Sequence, residues 1–495
     1  MTAAALFGGD VHAEYWATRW LLQRSLAAIY LVAFLVAVNQ FRPLLGTRGL
    51  TPVPFFLQNT RFSDSPSLFF FHYSDGFAAA LSWIGIACAA LAIAGISERF
   101  GTPVSMVIWT TMWLIYLSIV NVGQTWYSFG WETLLCECGF LAIFLGARHT
   151  APPVIVIWMF RWVLFRVMLG AGLIKLRGDP CWRDLTCLVY HYQSQPMPNP
   201  LSWYFNRFPG LVNEAGVLFN HLAEVVAPFG YLIPIAWVRR TAGAITVIFQ
   251  GTIILSGNLS WLNWLTAVAA IACFDDRMLA HVLPVHAGPL EPIALPHRIA
   301  LGALTVLVVA LSIRPALNLV SSRQAMNTSF EPLHLVNTYG AFGSISRERM
   351  EVIIEGTTDS VITPATSWKE YQFKAKPGDI SRRPPWIAPY HLRIDWLMWF
   401  AALSPAYADS WFLPLVARLL QNDKPTLSLL AGNPFPDRPP VWIRAELYNY
   451  QFTTAAERKA TGNWWNRALV GDYLRPISLQ TPGLIGGLEA QGWVR

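Results

Sequence analysis

Charge is scarce in this 495-residue chain. Only 13 % of its residues are Asp, Glu, Lys or Arg, whereas an average soluble domain has roughly 25 %. The net charge of +7 is scattered, and no Lys/Arg-rich run of the kind that binds nucleic acid occurs. We therefore expect no nucleic-acid partner and only a weak attraction to the anionic head groups of membrane lipids.

Familiar catalytic and nucleotide-binding motifs are missing as well. No G-x-S-x-G, H-E-x-x-H, G-x-G-x-x-G or P-loop pattern occurs in a usable context. The one close cysteine pair outside the apolar runs is C-x5-C, which is no zinc pattern without further ligands. We therefore expect no metal and no cofactor, although a bound lipid is compatible with the composition. An enzyme is the less favoured hypothesis.

Long apolar runs, in contrast, dominate the first 320 residues. Hydrophobic residues make up 54 % of the chain, and a run of about 17–25 apolar residues can cross a bilayer. The first run has no cleavage site of the signal-peptide type, so we expect it to be retained. We predict a polytopic α-helical membrane domain over 1–320, with about nine transmembrane helices near 21–42, 76–97, 104–123, 129–147, 153–175, 214–237, 241–257, 259–275 and 297–319.

Arginines in the short loops indicate how these helices are oriented. With a cytoplasmic N-terminus, the short outer loops carry no Lys or Arg, whereas the inner loops carry Arg99, Arg148, the pair Arg239–Arg240, and Arg277. This orientation puts loop 176–212 and everything after about residue 320 on the extracytoplasmic side.

The texture of the sequence changes after Val320. Charged residues become frequent, and period-two segments such as MEVIIEG, WKEYQFKAK and VWIRAELYNYQF are separated by Gly, Pro and Asp, which indicates strands and turns. The segments HLRIDWLMWFAAL and WFLPLVARLLQ have the pattern of amphipathic helices covering a sheet face. We predict an extracytoplasmic, β-rich domain of the α+β or sandwich-like class over 321–495.

Four ionisable residues lie inside the fourth and fifth predicted spans. If these spans form an antiparallel hairpin, residue numbers rise along one helix while they fall at the same depth along the other. Two residues on opposite helices therefore lie at equal depth when their numbers add up to the same total as those of any other level pair. That rule pairs Glu132 with Arg166 and Glu137 with Arg161. Unpaired charge in a membrane is costly, so we expect two structural salt bridges that lock the hairpin. A proton or substrate path is the alternative.

Loop 176–212 and the helix end before it are rich in polar and aromatic residues. An enzyme acting on a lipid or lipid-linked substrate could use the group Lys175, Asp179, Arg183, His191 and His221, in which a desolvated lysine is the best-placed base. The alternative is a packed loop held by its own charge pairs. Cys181 and Cys187 could form a local disulfide on an oxidising side of the membrane.

His221 and Glu224 are spaced i, i+3 on the sixth predicted span and so share a helix face. They could ligate a metal or shuttle a proton, but one His and one Glu make at most half a metal site. We favour a hydrogen-bonded packing role.

Basic and aromatic residues also cluster in the predicted soluble domain. A recognition face for a partner could comprise Arg347, Arg382, Arg383, His391, Arg393 and Asp395. These residues could equally form a polar seam between this domain and the outer mouth of the membrane domain.

Several long blocks resemble the lipase maturation factor family. They are KLRGDPCWRDLTCLVYHYQSQPMPNPLSWY, SGNLSWLNWLT, VNTYGAFGSISRERMEVIIEGT and FKAKPGDISRRPPWIAPYHLRIDWLMWFAAL, with FDD at 274–276 and the pair Trp464–Trp465. The resemblance extends from near the N-terminus to about residue 475. Compact loops and a short C-terminus resemble bacterial members of the family.

The resemblance implies a multi-pass, chaperone-like protein that assists the folding of secreted lipases, with its C-terminal half engaging the client. The membrane would be the cell membrane in a bacterium and the endoplasmic reticulum membrane in a eukaryote. An integral membrane enzyme is the second hypothesis, encouraged by a weaker likeness of the helical half to the vitamin K-dependent carboxylase type of membrane domain. A transporter is the third, and paired intramembrane charges fit it poorly.

Overall fold

The computed structural model describes residues 14–493, and helices dominate its first part, from Trp16 to Val320. The first thirteen residues of the predicted membrane domain and the last two of the predicted C-terminal domain therefore lie outside the described residues. The helices are α1 (Trp16–Leu45), α2 (Val53–Asn59), α3 (Asp75–Ile93), α4 (Thr102–Val122), α5 (Gly130–Ala142), α6 (Val154–Arg177), α7 (Cys187–Ser194), α8 (Ser202–Phe205), α9 (Gly210–His221), α10 (Ala227–Tyr231), α11 (Ala236–Ser256), α12 (Leu262–Ala270), α13 (Asp276–Leu279) and α14 (Leu295–Val320).

Five helices within residues 14–493 are long and apolar enough to cross a membrane, namely α1, α3, α4, α6 and α14. They have 19 to 30 residues, and about 20 are needed to span the hydrocarbon core. The chain is thus a multi-pass membrane protein, as its apolar runs predict.

The other four predicted spans coincide with helices that are shorter, interrupted or less apolar. Helix α5 has 13 residues, and α12 has nine before it tightens into a 3-10 turn. A π-helical turn at Leu222–Val226 separates α9 from α10. Helix α11 has 21 residues, but its first turns contain two charged residues, Arg239 and Arg240. The count of nine crossings therefore stays a prediction.

One end of the bundle is closed by hydrogen bonds between distant segments. The Arg19 guanidinium donates to the carbonyl oxygens of Arg148 and Thr150, at 3.1 and 3.0 Å. The Asp276 carboxylate accepts the backbone N–H groups of Trp16 and Ala17 at the start of α1. Such bonds satisfy donors that the first turn of a helix leaves free. They bring the start of α1, the α5–α6 connection and the start of α13 to one level.

The C-terminal half packs on the opposite end. It contains a four-stranded antiparallel sheet in the order β2-β1-β3-β4, built from β1 (Arg349–Thr357), β2 (Lys369–Glu370), β3 (Trp442–Phe452) and β4 (Trp465–Ile477). The helices around it are α15 (Arg393–Leu403), α16 (Phe412–Leu420), α17 (Lys424–Leu427), α18 (Ala455–Thr461) and α19 (Leu484–Ala490).

Strand β1 is the centre of this half. It is buried along nearly its whole length, because it pairs with β3 on one side, while α15 packs against it. Helix α16 contacts β3, as expected for amphipathic helices that cover a sheet. The segment WKEYQFKAK contributes only the two residues of β2, and the rest of it is irregular.

One hydrophobic cluster continues from the bundle into the C-terminal half. It joins buried side chains of α1, α4 and α5 to those of β1, α15 and α16. The two halves therefore share a core at one end of the bundle, and the site lies at this junction.

Candidate functional site

The buried carboxylate of Glu137 ties the C-terminal half to the bundle. It forms a salt bridge with Arg166 on α6. It also accepts the Asn337 backbone N–H and side-chain N–H₂, both at 3.1 Å, and the Tyr339 hydroxyl at 2.6 Å. Four donors on one carboxylate satisfy most of its lone pairs, which a buried charge requires.

Glu132 makes a second such tie. Its carboxylate lies 2.8 Å from a guanidinium nitrogen of Arg393, and neither side chain is exposed. Trp131 Nε1 donates to the same carboxylate at 3.0 Å, and the Tyr116 hydroxyl donates as well. The Arg393 guanidinium lies 3.4 Å above the ring of Tyr127, a favourable cation–π arrangement. A charge inside the bundle is thus neutralised by a residue of the C-terminal half.

Both ion pairs differ from those that equal depth predicts, so the pairs Glu132–Arg166 and Glu137–Arg161 are wrong. Helix α5 ends at Ala142 and the connection to α6 is not helical. Residues of α5 therefore do not lie opposite the residues of α6 that a uniformly helical hairpin would place at the same depth. The partner of Glu132 comes from outside the hairpin. Arg161 instead donates from Nε to the carbonyl oxygen of Ala272 at 2.7 Å.

The segment after α6 is held by a disulfide and an ion pair. Cys181 and Cys187 are joined, with their Cα atoms 4.8 Å apart. The Asp179 carboxylate accepts two hydrogen bonds from the Arg347 guanidinium, at 2.7 and 3.0 Å. These bonds, with the backbone N–H groups of Cys181 and Ile345, lower the pKa of Asp179 to about 2. The segment is therefore anchored to the strand-bearing half as well as to the bundle.

Lys175, at the end of α6, is enclosed in a buried polar network. Its ammonium lies 2.7 Å from both carboxylate oxygens of Glu224 and 2.8 Å from Asn220 Oδ1. These bonds use all three of its N–H donors. Because the π-helical turn begins directly after His221, Glu224 turns toward Lys175, while His221 Nε2 contacts the carbonyl oxygen of Trp182 at 2.9 Å. His221 and Glu224 do not converge on a common ligand.

A cavity of about 740 Å³ lies next to this network. Its wall combines α6, α9, α11 and α12 with the segment 339–344 and with Trp396, Trp399 and Phe400 of α15. Both halves of the chain thus build one cavity. Lys175, Glu224 and His191 belong to its lining.

The residues proposed for an enzyme are only partly brought together. Lys175 and His191 line the cavity, whereas the lining residues do not include Asp179, Arg183 or His221. Arg183 is exposed on the segment after α6. Since the lysine is closed in its ion pair with Glu224, it offers no free amine to act as a base. This arrangement does not favour the enzyme hypothesis.

Three of the six residues proposed to recognise a partner are fully buried, so for them that prediction is wrong. His391, Arg393 and Asp395 have no exposed surface. Asp395 accepts the backbone N–H groups of Ala375 and Lys376 at 2.6 and 3.0 Å, and burial raises its pKa. Burial among aromatic rings likewise lowers the pKa of His391 well below its usual value. For His391 and Arg393 the alternative, a seam between the two halves, is the arrangement found, whereas the bonds of Asp395 stay within the C-terminal half.

The other three differ in how far they reach the surface. Arg382 is half-buried and donates to the carbonyl oxygens of Phe373 and Lys376. The Arg347 side chain is 44 % exposed, although it is paired with Asp179. Arg383 is exposed and lies 5.3 Å from the ring of Trp464. Arg347 and Arg383 therefore remain available to a partner.

Sequence reasoning missed a cluster that we call the arginine–tryptophan surface: Arg207, Arg383, Arg458, Trp203 and Trp464. Arg458 lies 3.4 Å above the Trp464 ring and 4.6 Å from that of Trp203, and Arg207 lies 3.7 Å above Trp203. These residues come from three segments of the chain, so no local pattern signals the cluster. In the sequence, Arg383 and the pair Trp464–Trp465 stand out individually, but nothing indicates that they lie together.

Comparisons with known proteins agree with one another along the chain. A family model described as the lipase maturation factor transmembrane domain matches residues 17–281. A second, described as the lipase maturation factor C-terminal domain, matches residues 335–475.

Curated relatives cover both halves. Lipase maturation factor 1 of Homo sapiens is 44 % identical over 94 % of this chain and 88 % of its own length. The protein of that name from Bos taurus is 45 % identical over 97 % of this chain and 92 % of its own length. Lipase maturation factor 2 of Rattus norvegicus is 26 % identical over 94 % of this chain and 83 % of its own length. No solved structure matches the chain.

Proposed function

This chain belongs to the lipase maturation factor family, and from that premise we propose that it is a membrane-embedded maturation factor for secreted lipases. The observation that carries the proposal is the extent of the likeness, which covers the helical half and the strand-bearing half together. The geometry adds that both halves are joined at one end of the bundle, by the buried ion pair of Glu132 with Arg393 and by the hydrogen bonds that Asn337 and Tyr339 donate to Glu137. The chain would act by binding an incompletely folded client, without chemical conversion.

The proposed topology has nine crossings, a cytoplasmic N-terminus and an extracytoplasmic C-terminal half. The contacts at the two ends of the bundle support it. At the end that would be cytoplasmic, Arg24 pairs with Glu98, and Arg239 and Arg240 pair with Asp275. Nine segments alternating between two such ends would put residues 178–209 and everything after α14 on the other side. The membrane would be the cell membrane in a bacterium or the endoplasmic reticulum membrane in a eukaryote.

The client would meet the arginine–tryptophan surface. Arginine is among the residues that most often dominate the energy of protein interfaces, and Trp203 and Trp464, each 6 % exposed, support the guanidinium groups from below. Here the guanidinium groups of Arg207 and Arg458 already lie against tryptophan rings, so little side-chain freedom would be lost on binding. The net positive charge of the surface favours a client segment with acidic side chains.

Secretion of an active lipase from cells that lack any other maturation factor tests both proposals. We expect the chain to raise the activity of the secreted lipase. We expect Arg383→Glu to reduce that gain about tenfold, which corresponds to roughly 1.4 kcal/mol, because it reverses a charge at the proposed surface. Arg475→Glu is the matched control, since Arg475 is exposed on β4 and lies outside that surface.

The amount of each variant in the membrane would be measured by immunoblot, so that a change in abundance is separated from a change in function. Lipase activity that is the same with and without the chain would refute the maturation role. Equal activity of Arg383→Glu and Arg475→Glu at equal abundance would refute only the assignment of the surface.

A further inference from the structure

The cavity at the junction of the two halves is mainly apolar. Its volume of about 740 Å³ lies within the range of about 300–1,000 Å³ that is usual for small-molecule sites. Aromatic side chains from four different elements line it, among them Phe129, Phe219, Phe249 and Trp399. Phe219 and Phe249 pack against each other, with ring centroids 5.8 Å apart. A lining of this kind fits hydrocarbon better than a polar metabolite.

Several polar side chains of the lining have no hydrogen-bond partner among the described residues, among them Trp396, whose Nε1 is buried, and His191 and Tyr192. The His191 ring contacts Tyr192 and Phe342 only edge to face, and the hydroxyl of Tyr192 is likewise unpaired within residues 14–493. His191 is 8 % exposed and Tyr192 is 7 % exposed. Burial, together with the Lys175 ammonium, lowers the pKa of His191 to about 4, so the ring is neutral at pH 7. A buried polar group without a partner is costly, and a ligand carrying ester or hydroxyl groups would supply one.

The rim of the cavity reaches a surface that faces outward from the bundle. Phe208 and Val212 line the cavity and are also 40 % and 46 % exposed. Beside them on α9, Leu211 is 77 % exposed. Thr252 on α11 is another exposed lining residue. Exposed apolar side chains at the start of a bundle helix are typical of a surface in contact with lipid, so the cavity is open to the side.

The charged residues that line the cavity carry a net positive charge. The ionised lining residues within the described part of the chain are Lys175, Arg177, Glu224 and Arg323. Since Lys175 and Glu224 neutralise each other, two arginines remain. Arg177 donates only to Gln324 and the Leu319 carbonyl oxygen, and Arg323 is exposed. Guanidinium groups bind phosphate and carboxylate well.

We propose that this cavity binds one acyl-chain lipid with an anionic head group, which enters from the adjoining leaflet of the membrane. The acyl chain lies among the aromatic side chains, and the head group lies at Arg177 and Arg323. His191 and Tyr192 hydrogen-bond the polar groups between head group and chain. The inference rests on the membrane location of the chain and not on its proposed role in lipase maturation.

Native mass spectrometry of the full chain, purified in detergent, tests this site. The probes are dioleoyl phosphatidylglycerol, oleate and dioleoyl phosphatidylcholine at equal concentration. We expect one bound lipid per chain, with phosphatidylglycerol or oleate retained about tenfold more than phosphatidylcholine, and the two anionic probes distinguish a phosphate from a carboxylate ligand. Equal retention of phosphatidylcholine, or no retained lipid at all, would overturn the proposal.

A pair of variants on α11 locates the lipid. Thr252→Trp adds a ring at an exposed lining position and should abolish retention, whereas Ile248→Trp, on the same helix but outside the lining, should leave it unchanged. Both melting temperatures would be measured to establish that the variants are folded. Retention by folded Thr252→Trp equal to that of the wild type would refute the site.

A second measurement does not depend on any variant folding. Wild-type chain would be photolabelled with phosphatidylglycerol that carries a diazirine in its acyl chain, and the labelled peptides would be mapped. Labels on α9, α11 and the 396–400 segment of α15 are expected. Labels spread over the outward faces of α3 and α14, with none at the cavity, would refute the proposal.

Discussion

At the scale of single residues, the molecule is held together by buried charges whose partners lie far apart in sequence. Glu132 and Arg393 are 261 residues apart, and both side chains are fully buried. Removing one partner of such a pair leaves the other charge uncompensated, which is far more costly than replacing both.

We therefore expect Arg393→Met to destabilise the chain by about 3–5 kcal/mol. The double variant Glu132→Gln/Arg393→Met should recover a large part of that loss, because no buried charge is then left alone. Denaturant unfolding in detergent of the wild type, the two single variants Glu132→Gln and Arg393→Met, and the double variant measures the coupling energy between the two side chains. Losses that simply add in the double variant would contradict a direct interaction. The surface variant Arg475→Met should change stability by no more than about 0.5 kcal/mol.

The sequence identified the buried charges but neither of their ion pairs. Intramembrane Glu132, Glu137, Arg161 and Arg166 stand out because ionisable residues are rare in apolar runs. Their pairing could not be derived, because Arg393, Asn337 and Tyr339 come from segments whose position depends on the tertiary fold. For the same reason the sequence leaves open whether His391, Arg393 and Asp395 belong to a recognition face or to a polar seam, since charge in an otherwise polar segment ordinarily indicates exposure.

At the scale of elements, the segment after α6 is held at two points. The disulfide closes the turn between Cys181 and Cys187, and Asp179 binds Arg347 at the edge of the strand-bearing half. The carboxylate accepts the backbone N–H groups of Cys181 and Ile345 as well. Ordering of both loops thus depends on the ionised form of one side chain.

We expect this anchor to be insensitive to pH near neutrality and to weaken in strong acid. The pKa of Asp179 is lowered to about 2 in the folded chain, so its stabilising effect is present above about pH 4, the ordinary range of an Asp carboxyl. It is lost as the pH falls from there to about 2. Hydrogen exchange of the Cys181 and Ile345 amides, corrected for intrinsic rates, should show this window.

Asp179→Asn is the control for that measurement. These two amides should be weakly protected in the variant at every pH, since the charged acceptor is absent. A wild-type profile without a step between about pH 4 and 2, or a step of equal size in the variant, would contradict the role of the carboxylate.

Elements with a strong local pattern were predictable, and interrupted ones were less so. Helices occupy all nine predicted spans, and the segments predicted as strands or amphipathic helices form β1, β3, α15 and α16, although β1 is buried on both faces and does not alternate. The π-helical turn at Leu222–Val226 leaves no such signature, because it changes register without changing composition. Strand β4 was missed, because it is an edge strand with Leu469 and Val470 exposed and thus lacks the alternation of a half-buried strand.

At the scale of the whole molecule, the two halves behave as one folded unit. The composition predicted a multi-pass membrane protein with a C-terminal β-containing half, and the apolar helices and the sheet confirm this. The resemblance to the lipase maturation factor family is confirmed by matches over both halves. The shared core was not predictable, because nothing in a linear pattern indicates which apolar surface of one half covers the other.

We expect residues 321–495, produced alone, not to form a cooperatively folded domain. The fragment would lose the carboxylates of Glu132 and Glu137 and expose the side chains of His391 and Arg393. Near-ultraviolet circular dichroism and limited trypsin digestion would report on its packing. Co-expression with residues 1–320 as a separate chain should restore resistance to trypsin. A soluble, monomeric fragment with a sharp thermal transition would contradict the expectation.

Because Glu132 and Arg393 lie far apart in the sequence, they are also synthesised at different times. Chains are synthesised at about 5–20 residues per second, so the arginine emerges about 10–50 s after the carboxylate that it neutralises. During that interval α5 is already made, yet its charge has only the neutral donors of Tyr116 and Trp131. The membrane half is therefore the first to be synthesised and among the last to reach its final state. A ribosome that stops before residue 393 would leave behind a membrane protein with an unneutralised charge, which quality control could detect.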